Sequence, residues 1–488
     1  MGTVSFLKEK PNFQYLRLAN EIESKIMEGE YAAGDKLPSL RKLHKQLRLS
    51  ISTVYQAYIE LERRGIVEAR TKSGFYVRPF LYNVLPSPKL EKQKNATPKR
   101  VSVNAVANAI VEAMSDSDIL QLGGAVPSSE LLPFKQLSRT LKSVSSQEMK
   151  SLMLTYEHPS GNPELRRQIA KRTLGLSEKI TADEIITTNG CIEAISLCLR
   201  AVGKAGDTIA VESPTYHGFL QLIEDLGMYA LGLPTDLTSG VDLNCLEKAL
   251  DRNTVRACLF NPNFQNPLGF AMPDEKKQKL VALLNHKDIP VIEDDLCGDL
   301  HFGEKRPATL KSFDKKGLVL YCASFSKTLA PGLRVGWTMP GRYTDAVRRL
   351  KLNTCLASAK LNQAVIANFL KSGSHDRHLR RLRNALKNQM SNTALAIARY
   401  FPKGTKITSP KGGLLLWVQL DEAVDSLALY QEARKQRISI LPGVICSSLG
   451  KYKNCIRLSC GHPWSEKLEK GIMTLGQIIS ESEKPPKT

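Results

Sequence analysis

Apolar side chains recur at helical spacing close to the start of the chain. Leu18, Ile22 and Ile26 lie three or four positions apart within residues 15–27. Residues at this spacing share one face of an α-helix, so the segment predicts an amphipathic helix that ends near Gly29. A second helix is predicted after Pro38, because leucines again recur at helical spacing and proline suits the first helical turn.

A third helix follows the second after a short turn. Ser52 and Thr53 are residue types that cap helix starts, and the apolar residues between positions 54 and 61 share one face. Two short runs of β-forming residues, 66–70 and 75–77, then flank a turn and predict a β-hairpin.

A helix, a helix–turn–helix and a hairpin in this order form a winged helix–turn–helix. The segments at 37–43, 50–58 and 73–77 resemble the DNA-binding domain of the GntR family of bacterial regulators. The resemblance implies that residues 11–80 form a domain whose partner is double-stranded DNA.

The expected DNA contacts follow from how such domains dock. The first residues of the second helix of the turn reach base edges in the major groove. Four residues are expected to do so here: Ser52, Thr53, Tyr55 and Gln56. A second group is expected to contact phosphates, nearby base edges or the minor groove: Ser39, Arg41, Lys42, Lys72 and Gly74. An ordinary solvated face is the alternative for the basic residues.

Charge is unevenly distributed along the chain. Residues 1–100 carry nineteen Lys and Arg against ten Asp and Glu, a net charge of +9, and the rest of the chain shares the remaining +12. Positive charge is therefore about three times denser at the amino-terminal end, which favours phosphate contacts and electrostatic steering.

A lysine flanked by phosphate-binding residue types marks the second half of the chain. Lys327 follows an apolar run at 318–322 that predicts a buried strand. Ser324 and Ser326 precede it, and Arg334 lies seven residues after it. An amine near a core suits imine formation with an aldehyde, and hydroxyl and guanidinium groups suit a phosphate. Pyridoxal 5′-phosphate (PLP) meets both requirements. A surface lysine on a loop is the alternative.

The segment 324–334 resembles the lysine motif of fold-type I PLP enzymes, the aspartate aminotransferase superfamily. By this resemblance Lys327 holds the cofactor, and Ser324 and Arg334 bind its phosphate. The run 184–188 predicts a strand that leads into a helix start, where backbone N–H groups bind anions. The resemblance makes this start the phosphate cup, formed by Gly190, Cys191 and Ile192.

Three further segments resemble the parts of that superfamily that hold the pyridine ring. Tyr216 follows a strand and would stack on the ring, with an ordinary turn as the alternative. Asn266 matches the asparagine that donates to the ring oxygen. Asp294 ends an apolar strand and matches the aspartate that keeps the ring nitrogen protonated, whereas Glu293 and Asp295 are expected to be solvated or structural.

One position departs from the superfamily pattern. Cys297 stands where a tyrosine commonly donates to the ring oxygen, and a thiol is a weaker donor. Cofactor binding is still expected, with slower amino-group transfer. Three residues complete the site by resemblance: Tyr156, which reaches the phosphate of a neighbouring subunit; Arg457, which grips the carboxylate of an amino acid; and Gly124, which lines the substrate side. A salt bridge at a strand edge is the alternative for Arg457.

Length and composition set the outer limits. A chain of 488 residues with 42% hydrophobic residues predicts more than one domain and a sizeable core. Residues 81–103 are charged and contain prolines, which predicts a semi-flexible linker. Residues 104–485 are expected to form an α/β domain, with a mainly parallel sheet near 150–340 and a small α+β part near 375–485. No metal-binding spacing of cysteines and no membrane-length apolar run occurs, so a cytoplasmic protein with reduced thiols and without a metal site is expected.

Both resemblances together make the chain similar to the MocR subgroup of GntR regulators. They imply a transcription regulator in which an aminotransferase-like domain binds PLP and senses either an amino acid or amine effector or PLP itself. They also imply a head-to-tail homodimer. A catalytically active aminotransferase with an attached DNA-binding domain is the rival hypothesis, and a DNA-binding module with an inert second domain is the third.

Overall fold

The computed structural model describes residues 14–27, 30–31, 34–64, 66–70, 73–77, 84–90, 97–103, 107–108, 116, 118–144, 146–173, 180–252 and 255–482. The chain forms two compact units, Met1–Val84 and Leu85–Thr488. The predicted helix end at Gly29 and the predicted DNA contact Lys72 lie outside the described residues. Within the described ranges, no helix is both long enough and apolar enough to cross a membrane.

The first unit contains α1 (Gln14–Met27), α2 (Leu40–Leu47), α3 (Ile51–Arg63), β1 (Val67–Arg70) and β2 (Gly74–Val77). The two strands pair antiparallel, with Val67 opposite Val77 and Arg70 opposite Gly74. The apolar faces predicted from the sequence meet in one buried core, which includes Leu18, Ile22, Ile26, Val54, Ala57, Tyr58 and Leu61. The arrangement of elements is the predicted winged helix–turn–helix.

Two serines start the helices of the helix–turn–helix. Ser39 caps α2 by accepting a hydrogen bond from a backbone N–H three residues later, so Pro38 precedes the cap instead of lying in the helix. Ser50 caps α3 by accepting from the backbone N–H of Thr53 at 3.0 Å. The prediction that Ser52 and Thr53 form this cap is wrong, because Ser50 already has the extended backbone that a cap needs and the helix starts directly after it.

The second unit is an α/β structure with a large sheet and a small one. Its strands are β3 (Lys99–Arg100), β4 (Leu120–Gln121), β5 (Ile186–Thr188), β6 (Thr208–Ser213), β7 (Tyr229–Asp236), β8 (Gly240–Val241), β9 (Val255–Phe260), β10 (Val291–Asp294), β11 (Val319–Ser324), β12 (Gly336–Met339), β13 (Lys406–Ile407), β14 (Leu415–Gln419), β15 (Ile438–Ser439), β16 (Leu441–Pro442) and β17 (Cys455–Ser459). In the described part of the chain, the large sheet has the order β3-β7-β6-β9-β10-β11-β12-β5, with β8 paired to β7.

The centre of the large sheet is parallel. The strands from β7 through β6, β9 and β10 to β11 run parallel, whereas β3, β8 and β12 pair antiparallel with their neighbours. The small sheet is antiparallel in the order β13-β14-β17-β16. Ligands bind at the carboxyl ends of strands in open α/β sheets. Asp294 and Ser324 end two of these strands, which places them at that edge.

Helices cover the sheets and connect their strands. They are α4 (Phe134–Lys142), α5 (Ser146–Leu154), α6 (Pro163–Thr173), α7 (Cys191–Val202), α8 (His217–Asp225), α9 (Leu243–Arg252), α10 (Asp274–Lys287), α11 (Thr344–Cys355), α12 (Lys360–Lys371), α13 (Ser374–Tyr400), α14 (Ser426–Lys435) and α15 (Glu466–Ser482). A 3₁₀ turn, Ala182–Glu184, precedes β5, so this strand starts later than the run 184–188 predicted.

The stretch predicted as a linker is partly built into the second unit. The carbonyl oxygen of Pro86 accepts from the N–H of Ile407 at 3.0 Å, and the N–H of Lys89 donates to the side chain of Gln419 at 2.8 Å. β3 adds to the edge of the large sheet. The described parts of 81–103 are therefore anchored, which corrects the expectation of a semi-flexible tether. Polar composition does not reveal backbone hydrogen bonds of this kind.

The cysteines behave as the sequence predicts for reduced thiols. All ten are free, and eight are buried, among them Cys198, Cys258 and Cys322. Cys245 and Cys355 are partly exposed. Cys191, Cys198 and Cys322 pack in the apolar core cluster of the large sheet. A buried thiol at such a position acts as a small apolar side chain.

Candidate functional site

Lys327 lies in the loop after β11 and is partly buried. Burial lowers the pKa of its amine. The Cys297 thiol and the Asp294 carboxylate act in the opposite direction, and the cations of Arg457 and Arg334 lower the pKa further. The charges of these four groups therefore act on the amine. A lowered pKa leaves more of the amine neutral, which is the form that attacks a carbonyl carbon.

The carboxylate of Asp294 is buried at the end of β10. It accepts from the backbone N–H of Leu296 at 3.0 Å and from the thiol of Cys191 at 3.4 Å. Burial raises the pKa of Asp294 to about 6. A cation placed beside this group would favour its ionised form, so the site suits a protonated ring nitrogen.

Arg457 is the largest buried cation of the site. It lies in β17 between β14 and β16 and is only 1% exposed. Its guanidinium donates to the side-chain oxygen of Asn266 at 2.8 Å and to the carbonyl oxygen of Gly123. Its Nε is buried without a hydrogen-bond partner, and no carboxylate of the described residues pairs with it. The strand-edge salt bridge considered for Arg457 is therefore absent from the described part of the chain.

Asn261 joins two of the predicted site residues, and sequence reasoning gave it no role. Its side-chain oxygen accepts from the backbone N–H of Asn266 at 2.7 Å, and its side-chain nitrogen donates to the carbonyl oxygen of Asp294 at 2.6 Å. The buried carboxylate of Glu212 accepts from the backbone N–H of Asn261 at 3.1 Å. The Asn-Pro dipeptide at 261–262 favours a fixed turn, and it is the signal in the sequence from which a structural role of Asn261 could be found.

A cradle forms where α7 begins. Gly190 has φ +90°, and a Cβ on it would lie 2.4 Å from the guanidinium of Arg334. That guanidinium donates to the carbonyl oxygen of Asn189 at 3.1 Å and to the hydroxyl of Ser326 at 3.4 Å. The hydroxyl of Ser324 accepts from the backbone N–H of Ser326 at 3.2 Å. Ser326 is thus a further residue of the cradle, for which its place in the lysine segment was the signal.

The other residues of the predicted phosphate cup lie on the first turn of α7. Cys191 is buried, whereas Ile192 is 39% exposed. The backbone N–H groups of such a first turn have no partner within the helix, and they carry the positive end of the helix dipole. Together with the guanidinium of Arg334, they give the cradle a concentration of donors suited to a phosphate.

The structure places the remaining predicted residues as follows. Tyr216 is partly buried just before α8, and burial raises the pKa of its phenol, with Arg457 and Asp294 among its neighbours. Cys297 is buried near Lys327, and burial raises the pKa of its thiol to about 12. Gly124 directly follows Gly123, which accepts from Arg457. Tyr156 is 84% exposed, so a single chain does not bring it to this group.

Glu293 and Asp295 are structural residues. The carboxylate of Glu293 accepts from the backbone N–H groups of Leu310 at 2.7 Å and Lys311 at 3.0 Å. Asp295 accepts from the guanidinium of Arg306 and from the hydroxyl of Tyr321. Both carboxylates are buried, so the alternative that they are solvated is wrong.

The predicted DNA-reading face lies on α3 of the first unit. Ser52, Tyr55 and Gln56 are exposed, and Thr53 is partly exposed. The hydroxyls of Ser52 and Thr53 each lie 2.8 Å from the hydroxyl of Ser50, so both are engaged locally. The side chains of Tyr55 and Gln56 are exposed, and no hydrogen bond to another described residue engages them, so they are the two predicted reading groups left available for a partner.

Basic side chains flank this face. Arg41 and Lys42 on α2 are exposed, and so are Lys45 and Arg48. Among the described residues, none of the four forms an ion pair with a carboxylate. Gly74 starts β2 with φ +113°, a conformation that glycine adopts without strain. Unpaired exposed cations beside a helix–turn–helix suit contacts with DNA phosphates.

Known proteins share both parts of the chain. Residues 14–77 match the family described as bacterial regulatory proteins, gntR family, and residues 126–474 match aminotransferase class I and II. Two relatives from Escherichia coli strain K12 are named uncharacterized HTH-type transcriptional regulators. YjiR is 37% identical over 466 residues, covering 96% of this chain and 98% of YjiR, and YdcR is 36% identical over 469 residues, covering 96% and 99%. The chain belongs to the MocR subgroup of GntR regulators.

The fold of this MocR-type regulator is also found in solved aminotransferases. LysN, an α-aminoadipate aminotransferase from Thermus thermophilus, is 26% identical with a TM-score of 0.72, covering 78% of this chain and 96% of LysN. That structure is a complex with N-(5′-phosphopyridoxyl)-L-leucine. The MocR-type chain thus combines a GntR-type DNA-binding domain with an aminotransferase-like domain of fold-type I, which confirms the predicted fold class and architecture.

Proposed function

We propose that this MocR-type regulator binds PLP at Lys327 and changes its DNA binding when an amino-acid-like effector engages Arg457. The observation that carries the proposal is the buried guanidinium of Arg457, which lies near the Lys327 amine and has no carboxylate partner in the described ranges. An unpaired buried cation is costly, and a ligand carboxylate would satisfy it with two parallel hydrogen bonds.

The residues around Lys327 fit PLP. Gly190 leaves the space that a Cβ would fill beside Arg334, and this space lies at a helix start rich in N–H donors. The buried carboxylate of Asp294 lacks a cationic partner at hydrogen-bond distance among the described residues. When bound, PLP supplies an aldehyde that links covalently to an amine and a ring that withdraws electrons from it.

Each side chain then has a defined task. Burial lowers the pKa of the Lys327 amine, which favours the neutral form that can attach the cofactor. Asp294 holds a proton at the ring nitrogen, and the side-chain nitrogen of Asn266 remains available to donate to the ring oxygen because its oxygen serves Arg457. Tyr216 supplies an aromatic face. The phosphate is held by Gly190, Cys191, Ile192, Ser324 and Arg334.

The proposed assembly is a head-to-tail homodimer in which Tyr156 completes the partner's cofactor site. Met153, Leu154 and Tyr156 are 67%, 72% and 84% exposed, and Leu352 and Leu356 are also exposed. Exposed apolar side chains in such number favour burial against a second copy. An effector that shifts contacts at this face would then alter the spacing of the two DNA-binding domains.

Binding of effector and DNA is reciprocal in this scheme. If the effector changes DNA affinity, DNA changes effector affinity by the same factor. PLP itself is the second possible signal, because loading of the cradle also orders the groups around Lys327. The two hypotheses differ in the small molecule, an amino acid or PLP, that changes the affinity for DNA.

Fluorescence anisotropy with labelled duplex DNA from the region upstream of the protein's own gene tests the proposal. The full chain is titrated without PLP, with PLP, and with PLP plus each of a panel of amino acids. A change in affinity with PLP or with one amino acid, abolished in Lys327→Ala, supports sensing. An unchanged curve in every condition, with no absorbance band from bound PLP, would mean that the second unit is an inert domain.

Catalytic amino-group transfer is the second candidate function. It is favoured by the convergence of Lys327, Asp294 and Arg457, which are the groups such a reaction needs. The neutral thiol of Cys297, in place of the expected tyrosine, weakens this candidate. Turnover of an amino acid and a 2-oxo acid at about 1–1000 per second would establish an enzyme, whereas a spectral change without turnover favours sensing.

A further inference from the structure

A cavity of about 460 Å³ opens between α4, α12 and the first turns of α13. Its apolar lining includes Leu132, Phe369 and Leu382. Arg139 from α4 and two arginines from α13 line it as well. Lys327 and the residues around it do not line this cavity, and its volume falls in the range of small-molecule sites.

The arginines of this cavity are Arg139, Arg377 and Arg381, and all three are exposed. Among the described residues, no ion pair joins any of them to a carboxylate, and Glu130 is the one acidic residue of the lining. Three guanidinium groups around a partly apolar concavity form an anion-binding arrangement, because each offers several donors in a fixed plane.

A neighbouring cavity differs from the first one because carboxylates line it and pair with some of its arginines. The neighbouring cavity is lined by the other face of α13 and also contains arginines. There, Arg172 pairs with Asp376 at 3.0 Å, and Arg306 pairs with Asp299 at 2.8 Å. Two of the four arginines of that cavity are therefore already paired with carboxylates of the chain itself, whereas none of the three in the first cavity is, among the described residues.

The position of Arg377 adds a cost that an anion would remove. Arg377 lies at the first turn of α13, a helix of 27 residues, and Arg381 lies one turn later on the same face. The amino-terminal end of a helix carries a partial positive charge, so a cation in the first turn is disfavoured and an anion is stabilised. A bound anion would offset the unfavourable position of Arg377.

His378 connects the cavity to the lysine segment. It lines the cavity and is 9% exposed, and its Nε2 lies 2.7 Å from the carbonyl oxygen of Thr328. A carbonyl oxygen only accepts, so Nε2 is the donor in this bond. Phe369 makes a second connection, since it packs in one core cluster with Phe325 and Leu329. Both connections end within two residues of Lys327.

We propose that this cavity binds a small organic anion that has a carboxylate and an apolar part. Binding of this anion changes the environment of the Lys327 amine. The three arginines hold the carboxylate, and the leucine and phenylalanine side chains cover the body. Anion binding by the cavity does not depend on the proposed function. The effect on Lys327 does rest on it, because that effect is measured by the absorbance of the bound cofactor.

Equilibrium dialysis of the cofactor-free full chain against radiolabelled benzoate tests binding. Wild type is expected to bind, and Arg377→Ala/Arg381→Ala is expected to bind about tenfold more weakly or worse, since two charge-assisted contacts are lost. Arg380→Ala is the matched control, because Arg380 lies on the same turn of α13 but lines the neighbouring cavity. Its affinity is expected to equal that of wild type.

Three outcomes would overturn the binding proposal. They are no benzoate binding by wild type, equal affinity in the double variant, and an equal loss in Arg380→Ala. If wild type binds no benzoate but the double variant loses affinity for DNA, the arginines serve nucleic-acid phosphates instead. If the double variant changes the oligomeric state, a second copy occupies the cavity.

The link to Lys327 is tested with the PLP-loaded chain. Benzoate is expected to shift the pH midpoint of the absorbance change of the bound cofactor in wild type. The shift is expected to disappear in His378→Phe, which has no donor for Thr328, and to return in His378→Asn, which has one. Absence of a cofactor band contradicts the proposed function, whereas a normal band with no shift contradicts this link alone.

Discussion

Arg457 and Asn266 are joined by a hydrogen bond of 2.8 Å although they lie 191 positions apart in the chain. The bond connects the predicted carboxylate-binding cation with the predicted ring-binding amide. Asn266 is in turn tied to Asp294 through Asn261. Under the proposed function, a ligand carboxylate that draws the Arg457 guanidinium toward itself would perturb Asn266 and, through Asn261, Asp294.

Replacing Arg457 is expected to abolish the response to amino acids without unfolding the protein. Arg457→Met removes the donors for a carboxylate, so the affinity for the effector should fall about 100-fold. The unliganded variant should be as stable as wild type or more stable, because an unpaired buried cation is replaced by an apolar chain of similar length. Thermal unfolding with and without the effector measures both quantities.

Arg434→Met on α14 is the control for that measurement, since Arg434 is exposed whereas Arg457 is buried. It should respond to the effector as wild type does. Loss of PLP binding in Arg457→Met would show that the guanidinium holds the cofactor instead of the effector.

Gly190→Ala is expected to weaken PLP binding sharply. Its Cβ would lie 2.4 Å from the Arg334 guanidinium, which would have to leave the cradle. Gly206→Ala is a matched control, because Gly206 has nearly the same φ of +89° but nothing within 4 Å of an added Cβ. Both variants should lose about 1 kcal/mol or more of stability from backbone strain. Only Gly190→Ala should lose PLP affinity, by about tenfold or more, in a fluorescence titration. Equal PLP affinity in the two variants would contradict the cradle.

The raised pKa of Asp294 predicts a pH dependence of stability in the cofactor-free protein. The ordinary pKa is 3.8, and the folded value is about 6 because of burial. Between these pH values the folded state binds more protons than the unfolded state, so this contribution to stability falls as the pH rises and levels off above about 6. The loss between pH 4.5 and 7.5 should be about 2 kcal/mol.

Asp294→Asn removes this titration. Urea unfolding at pH 4.5 and 7.5 should therefore show a steeper loss for wild type than for the variant. The difference between the two proteins isolates Asp294 from other buried acids such as Glu212, whose pKa burial raises to about 8. Parallel pH profiles would contradict the raised pKa.

Arg41→Ala is expected to weaken DNA binding and leave the absorbance of bound PLP unchanged. The slope of log affinity against log salt should fall by about one, as expected for one lost phosphate contact. Arg63→Ala is the control, because Arg63 already pairs with Glu60 at 2.6 Å on α3. Anisotropy titrations at several salt concentrations measure the slope. Loss of the cofactor band in Arg41→Ala with unchanged DNA affinity would mean that the two domains are assigned the wrong way round.

Cys297→Tyr is expected to raise any amino-group transfer. A phenol donates a stronger hydrogen bond than a thiol, and one such bond is worth about tenfold in rate. Single-turnover absorbance changes with an amino acid measure the rate, and Cys258→Ala, a buried thiol of the large sheet, is the control. If the cofactor binds and the rate stays the same, the natural cysteine has no effect on the reaction.

Sequence patterns predicted the first unit well because its core is local. The apolar positions of α1 and α3 repeat every three or four residues, and they meet in one cluster. Helix starts were less accurate, since Ser50 and Ser52 are equally suitable residue types and only the backbone angles decide between them. The anchoring of Pro86 and Lys89 was missed because it depends on partners more than a hundred positions away, Ile407 and Gln419.

The sequence predicted individual residues of the candidate site, but it did not predict the hydrogen bonds that connect them. Lys327, Asp294 and Arg457 were found from motifs, and the structure places them near one another. Asn261 was missed, although it holds Asn266 and Asp294 together, because a role built on side-chain bonds leaves no periodic pattern. Tyr156 is 84% exposed in the single chain, and its proposed role depends on a second chain.

Eight of the ten thiols are buried, and their burial has a consequence for the reactivity of the protein toward oxidants and alkylating reagents. The thiolate is the form that reacts with peroxides and alkylating reagents, and burial raises the pKa of Cys446, Cys455 and Cys460 to about 12. Such sulfurs are slow targets for oxidative damage. Cys245 and Cys355 are the two partly exposed thiols, so a fluorophore would reach them before the other eight, without any engineered cysteine.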